Sequence, residues 1–424
     1  MFTALDNVAV PQNLVDESTR GDTTLWRGTL WVDGEDNVTV ESPPTGHILA
    51  RRDLTGYMVL PGFVEPHCHL DKCHTIARIN RGAKGLETAG ELMADDKANW
   101  TESDLSIRMR RGVEELMHAG CYSARTHIDW HALGQNSNHP PLAWQVGRSL
   151  AAELKSTFEL QCSPLLSFDE ADSEQGLVQI AELVNDADRV LGVFLLRHDH
   201  VQTRLSALFA VAKRYNLILD FHVDEDLDPS LDNVEAIVDA KVKSDFDGVV
   251  LCGHACALSA KPHSEQLRLA QKMADAEVHV VALPSTNLYL QGRQCDAAGP
   301  RGLTPIRTLT EAGVNVIFGS DNVGDAYCPV GQHDPARALE LAVLAGQIET
   351  SLLPWLASIT TSARRALGLP SLYIDGAKAN QVIAIQASDV TDIIRSHHRL
   401  RLSELMKEKP TLSRVSPVNE VLDA

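Results

Sequence analysis

Pro61-Gly62-Phe63-Val64-Glu65-Pro66-His67-Cys68-His69-Leu70-Asp71-Lys72 sets two imidazoles two residues apart at the end of an apolar segment. In a β-strand, residues i and i+2 face the same way, so His67 and His69 can grip one metal ion. Paired histidines on a strand also occur as hydrogen-bonded core residues, and the motif alone does not decide between the two. Three further segments repeat the design, each an apolar run whose last residues switch to groups that coordinate metals or move protons. They are Leu217-Ile218-Leu219-Asp220-Phe221-His222, Val249-Val250-Leu251-Cys252-Gly253-His254 and Asn315-Val316-Ile317-Phe318-Gly319-Ser320-Asp321-Asn322. A single histidine or aspartate at a strand end usually caps or satisfies nearby polar groups. Four such ends in one chain point to a shared site.

Working outward from these ends, short β-rich runs alternate with longer amphipathic ones, the pattern of repeated βα units. Strands are expected at Met58 to Pro66, Tyr122 to Asp129, Phe158 to Ser167, Arg189 to Leu196, Leu217 to His222, Val249 to His254, Val278 to Pro284 and Val314 to Ser320. Helical spacing of apolar residues marks Leu86 to Ala119, Ser173 to Ala187, Thr203 to Tyr215, Asp232 to Ala240, Ser264 to Ala276, Pro305 to Ala312 and Pro335 to Ala345. Eight such units predict an α/β fold, a (β/α)8 TIM-type barrel over residues 57–370, with its active site at the C-terminal ends of the strands. The N-terminal segment alternates around Trp26, Trp31 and Val38 and is broken by Gly34 and Pro43-Pro44, and Asn380 to Gln386 has the same character. A small β domain built from both chain ends, residues 1–56 plus 371–424, is therefore expected, with an irregular tail after Lys407.

The 424 residues suffice for a large hydrophobic core. A formal charge of −19 and the lack of a basic block argue against nucleic acid or an anionic membrane as partner, and favour a small-molecule substrate. Eight cysteines without a Cys-x-x-Cys pair read as buried thiols of a reducing compartment. Met1 to Arg20 carries no signal pattern and no apolar run is long enough to span a membrane, so a cytoplasmic location is expected. A homo-oligomer is compatible with all of this.

His67, His69, His222 and Asp321 form a donor set suited to one divalent ion, zinc or iron, with a position left for water. The ion would yield a hydroxide nucleophile near neutral pH, and Asp321 can also take the proton from that water. Glu225, three residues past His222, can carry a proton to a ring nitrogen and then to a leaving amine; the bland alternative is a solvated acid in a loop that also holds Asp224, Asp226 and Asp228. His254 can orient the hydroxide, or be a hydrogen-bonded core histidine. His127 is equally a supporting or a core residue, and His131, His139, His198, His200 and His333 show no partner pattern.

These residues carry a resemblance. Phe-Val-Glu-Pro-His-x-His-Leu-Asp at 63–71, Arg-Thr-His-Ile-Asp at 125–129, His-Val-Asp-Glu at 222–225, Gly-His at 253–254, Leu-Gln-Gly-Arg at 290–293 and Ser-Asp-Asn at 320–322 resemble the cytosine deaminase branch of the amidohydrolase superfamily. The likeness runs from about residue 57 to about residue 370. It implies a mononuclear metal site at His67, His69, His222 and Asp321, Glu225 as proton shuttle, and His254 beside the nucleophilic water. The implied reaction is hydrolytic deamination of an amino-substituted nitrogen heterocycle, cytosine or a related pyrimidine or triazine ring, with release of ammonia. Two positions depart from that branch. Ser167 stands where the branch has a glutamine that reads the pyrimidine amide edge, and Asn322 where it has a second aspartate. With Lys72, Asn322 resembles the N-isopropylammelide-type triazine aminohydrolases, although those lack the glutamate found here at Glu225.

Substrate contacts are accordingly expected from Ser167, Gln291, Asn322 and Lys72, with altered ring specificity. The main alternative is hydrolysis of a cyclic amide or an N-alkylamino triazine. A second is a non-catalytic metal-binding or assembly protein that keeps the barrel. The fourth expected strand ends in Phe194-Leu195-Leu196-Arg197 and offers no lysine to bridge two metals, which favours one ion.

Overall fold

The computed structural model describes residues 1–19, 24–43, 47–130, 140–169, 174–185, 187–293, 301–348 and 352–407. His131, His139 and the tail after Lys407 lie outside the described residues.

The strands in chain order are β1 (Phe2–Pro11), β2 (Leu25–Asp33), β3 (Val38–Thr39), β4 (Ile48–Asp53), β5 (Tyr57–Pro61), β6 (Phe63–Cys68), β7 (Cys121–Asp129), β8 (Glu159–Ser167), β9 (Val190–Leu195), β10 (Ile218–Val223), β11 (Val250–His254), β12 (Val278–Ala282), β13 (Val316–Phe318), β14 (Val382–Gln386) and β15 (Arg399–Arg401). Strands β6 to β13 form one eight-stranded parallel sheet, each beside its neighbour in sequence. A parallel bridge between Cys68 and Asp321 brings its two edges together, and the Asp321 amide donates to the His67 carbonyl at 2.9 Å. The expected barrel is present, and its seam lies between two of the expected metal ligands. Its strands are buried on both faces and read as apolar runs for that reason.

The first expected strand proves to be two. Tyr57–Pro61 pairs antiparallel with Val382–Gln386 in the second sheet, and only Phe63–Cys68 enters the barrel. Gly62 makes the switch: a Cβ there would stand 2.6 Å from the Tyr122 Cβ, and its amide donates to the Gln381 carbonyl at 2.8 Å. Hydropathy is continuous across the switch because both sheets bury their strands. The second sheet, ordered β15-β14-β5-β1-β2-β3 with β4 on β1, joins both chain ends over a core that includes Leu5, Val8, Leu30, Val59 and Val382.

The single helix expected over Leu86 to Ala119 is likewise two, Leu86–Lys97 and Glu102–His118. Thr101 adopts an extended conformation and its hydroxyl accepts from the Asp104 amide at 3.2 Å, so a capped helix restarts there. A helix at Leu142–Leu154 covers the β7–β8 connection, which the sequence reading had not delimited. Strand β12 stops at Ala282, two residues short of expectation, because Pro284 opens the helix Pro284–Leu290.

Candidate active site

Strand β6 aims His67 into the barrel, and His69 follows just beyond its end, with a register shift against β7 between Glu65 and Cys68. Strand β10 supplies His222, β11 ends in His254, and Asp321 lies three residues past β13. All five side chains are nearly or fully buried. The Nε2 atoms of His69 and His222 are 3.2 Å apart; Asp321 Oδ1 lies 3.3 Å from His69 Nε2 and 3.6 Å from His67 Nε2. One ring nitrogen from each of His67, His69 and His222 lies within 4.8 Å of the others, and so do one nitrogen each of His67 and His254 and a carboxylate oxygen of Asp321. Both Asp321 oxygens, both His67 nitrogens and His222 Nδ1 are buried without hydrogen-bond partners. A buried Asp321 carboxylate without a hydrogen-bond partner among the described residues, set beside three imidazoles, is costly unless a cation satisfies it, so the donor set fits a divalent ion.

Backbone strain collects at the same place. Asp224, His254 and Asp321 all have left-handed φ values, 50°, 65° and 61°. Non-glycine residues rarely adopt that conformation, and here three strand ends use it to turn side chains over the barrel mouth.

Beneath the imidazoles lies a ring of supporting contacts. Glu65 accepts from the His67 amide at 3.0 Å, the Ser320 amide at 3.1 Å and the Ser320 hydroxyl at 2.5 Å, linking β6 to the Asp321 turn. Burial pushes the Glu65 carboxyl up to about 8 in spite of these donors. Asp220 takes a 2.7 Å bond from Arg125, which also reaches Gln161 and the Leu367 carbonyl. His127 packs its ring 4.2 Å from His67 and 4.6 Å from His222, with Nε2 3.6 Å from Asp220. Burial, reinforced by neighbouring imidazoles, holds His67, His127 and His222 well below the ordinary histidine value. Such a shift favours the neutral imidazole, the form that ligates metals.

Glu225 Oε1 stands 3.6 Å from His254 Nδ1, which also meets Asn287 Oδ1 at 3.0 Å and Asp321 Oδ2 at 3.9 Å. Burial pushes the Glu225 carboxyl up to about 7 against the pull of His254, placing it where it can both take and give a proton near neutrality. Burial opposes charge on His254, but Glu225 and Asp321 outweigh it and raise its value.

Above this cluster opens a cavity of about 610 Å³ whose wall includes Lys72, Ser167, Glu225, Asn322 and Tyr327. Lys72 is buried, 3.2 Å from His69 Nδ1 and 2.7 Å from Asp129 Oδ1, and Lys97 approaches the other Asp129 oxygen at 2.5 Å. Asn322 gives its amide to Asp325 at 2.7 Å. Gln291 stands apart from the expected contacts: it is absent from the cavity wall and donates its side-chain amide to the Glu225 carbonyl at 3.0 Å. Its position holds the backbone of Glu225.

Three of the four expected ligands, His69, His222 and Asp321, line one cavity with Glu225, His254, Lys72, Ser167 and Asn322, and His67 is buried against Asp321. Glu65, Asp129, Asp220 and Asn287 complete the surroundings and escaped notice in the sequence. Glu65 and Asp129 stand inside the quoted motifs, and their two-residue spacing from His67 and His127 was the available signal. Asn287, in a helix after β12, carried none.

Residues 187–374 match the model of the amidohydrolase family. Among curated proteins, the pterin deaminase of Rhizobium rhizogenes (strain K84) is 28% identical over 326 residues, 76% of this chain and 74% of that protein. The N-isopropylammelide isopropyl amidohydrolase of Pseudomonas sp. (strain ADP) is 24% identical over 383 residues, 87% of this chain and 89% of its own length. Among solved structures, the 5-methylcytosine deaminase of Klebsiella pneumoniae with 5-fluorocytosine superposes with a TM-score of 0.78, at 21% identity and over 94% of this chain and 96% of that one. The matched span contains the Ser-Asp-Asn motif at 320–322, and the motif at 63–71 lies ahead of it.

Proposed function

We propose that this chain is a metal-dependent hydrolytic aminohydrolase that replaces a ring amino group by oxygen and releases ammonia. The observation that carries the reading is the pairing of Glu225 with His254 over the His67, His69, His222 and Asp321 cluster at the floor of the cavity. His67, His69, His222 and Asp321 would hold one zinc or iron ion, which when bound supplies Lewis acidity and makes water acidic enough to attack. Glu225 accepts a proton from the attacking water at its carboxylate. It passes that proton to the ring nitrogen, then takes the second proton from the added hydroxyl and delivers it to the amine, which leaves as ammonia as the C–N bond breaks and the carbonyl forms. His254, held by Asn287, hydrogen-bonds the attacking oxygen and steadies charge on it.

The substrate is a small heterocycle whose amino-bearing carbon is flanked by ring nitrogen, a feature shared by aminopyrimidines, aminotriazines and pterins. Lys72 offers a buried cation to a ring carbonyl or anionic ring nitrogen, while Ser167 and Asn322 provide hydrogen bonds too short-armed for the edge recognition expected of a glutamine. A volume of about 610 Å³ admits a bicyclic ring as well as a monocycle. Ammonia release from cytosine, isocytosine, aminotriazines and pterins, with and without chelator, tests the reading. Turnover abolished by chelation and by Glu225→Gln supports it; release unaffected by either sinks it. The apolar wall of Leu86, Leu165, Phe194 and Leu196 favours a second reading, removal of an alkylamine from an N-alkylamino ring, and the identity of the released amine separates the two.

A further inference from the structure

Outside the catalytic cavity, a second set of donors converges. His74 lies in the turn after β6, Glu115 on the helix Glu102–His118, and His333 in the loop after β13. Glu115 Oε2 stands 3.1 Å from His74 Nε2 and 2.9 Å from His333 Nδ1, while its other oxygen is engaged by Arg111 at 2.9 Å. One donor atom of each of the three residues falls within 4.8 Å of the others. Donors around a tetrahedral ion with bonds of about 2.0–2.1 Å stand roughly 3.3 Å apart. The two separations from Glu115, 3.1 Å and 2.9 Å, are near that value.

A hydrogen bond accounts for the contact of His333 Nδ1 with Glu115 at 2.9 Å but leaves His74 Nε2 and His333 Nε2 without partners among the described residues. His74 Nε2 is buried beside Glu115 yet out of line for a hydrogen bond, and His74 holds a left-handed φ of 61° that turns it toward the carboxylate. His333 is fully buried at its side chain. A separate cavity of about 480 Å³ opens on the cluster, with room for a solvent ligand.

We propose that His74, Glu115 and His333 form a second divalent-cation site, of the zinc class, distinct from the catalytic one. His74 and His333 come from the two loops that leave the barrel seam, which are already joined by the His74 amide to the Val323 carbonyl at 3.1 Å and the Ile76 amide to the Gly324 carbonyl at 2.8 Å. An ion there clamps both loops to the helix Glu102–His118 and so braces the turns that present His69 and Asp321. The site takes part in no bond making or breaking.

The test is a metal count by mass spectrometry on the full chain, stripped, reloaded with zinc and desalted. Wild type is expected to retain two equivalents, His67→Ala/His69→Ala one, and His74→Ala/His333→Ala one. A single equivalent in wild type that survives His74→Ala/His333→Ala but not His67→Ala/His69→Ala overturns the second site and leaves the catalytic reading standing. Two equivalents retained by His74→Ala/His333→Ala overturn it as well. Should that double variant not fold, Glu115→Gln keeps the shape: loading His67→Ala/His69→Ala with cobalt should give a visible absorption band of low-coordinate nitrogen and oxygen ligation, and adding Glu115→Gln should remove it. A band that persists overturns the proposal.

Discussion

Burial of Glu225 beside His254 sets activity against stability at a single carboxyl. The folded chain holds this proton more tightly than the unfolded chain, because its value rises from 4.5 to about 7. The stabilising contribution is therefore complete below about pH 4.5 and is lost as pH rises through about 7. Glu225→Gln should flatten this loss, so that calorimetry of metal-free protein shows the variant losing less thermal stability than wild type between pH 5 and pH 8. The same substitution should lower kcat by about 10²–10⁴-fold with bound metal unchanged, since only the proton carrier is removed. In wild type, kcat/KM should fall on the acid limb, where Glu225 is protonated and cannot accept from water. Asn287 acts through His254, and Asn287→Ala should cost about 10–100-fold in kcat with little change in KM; an equal loss in both would deny it an orienting role.

Strand ends place the chemistry, and the close packing behind them limits what can change. A Cβ at Gly319 would meet Glu65 Oε1 at 2.9 Å and His67 Cβ at 3.2 Å. Gly319→Ala should therefore destabilise by about 1–3 kcal/mol in urea unfolding and weaken metal retention, because His67 and the Asp321 turn cannot both keep their positions. The four strand-end motifs were legible because a continuous apolar run and an abrupt polar terminus are local properties. The division of residues 58–66 was not, since Gly62 separates two strands that are apolar for different sheets. The restart of a helix at Thr101 was missed because apolar spacing continues across the break.

Across the whole molecule, distant segments hold the site together. Arg125 and Asp220 are fully buried and joined at 2.7 Å, so Arg125→Met strands a carboxylate and should cost about 3–5 kcal/mol by denaturant titration. Metal adds to this by mass action: at about a thousandfold excess over its dissociation constant an ion stabilises by about 4 kcal/mol, and chelation should lower the thermal midpoint equally in wild type and Glu225→Gln.

The sequence by itself determined the eight-unit barrel, the small sheet shared by both chain ends, and the residues that crowd its mouth. Each is written in spacing along the chain, and an apolar strand that ends in histidine or aspartate announces its own place in the fold. Only the tertiary structure decided which charges face one another: Arg125 with Asp220, 95 residues apart, Glu65 with Ser320, 255 apart, and Lys72 with Asp129. It also turned Gln291 away from the cavity toward the Glu225 carbonyl, and gathered His74, Glu115 and His333, residues without a shared motif, at one point. The physical reason is that periodicity reports which face of an element is buried, whereas the partner of a buried charge depends on where strands and loops far apart in sequence come to lie.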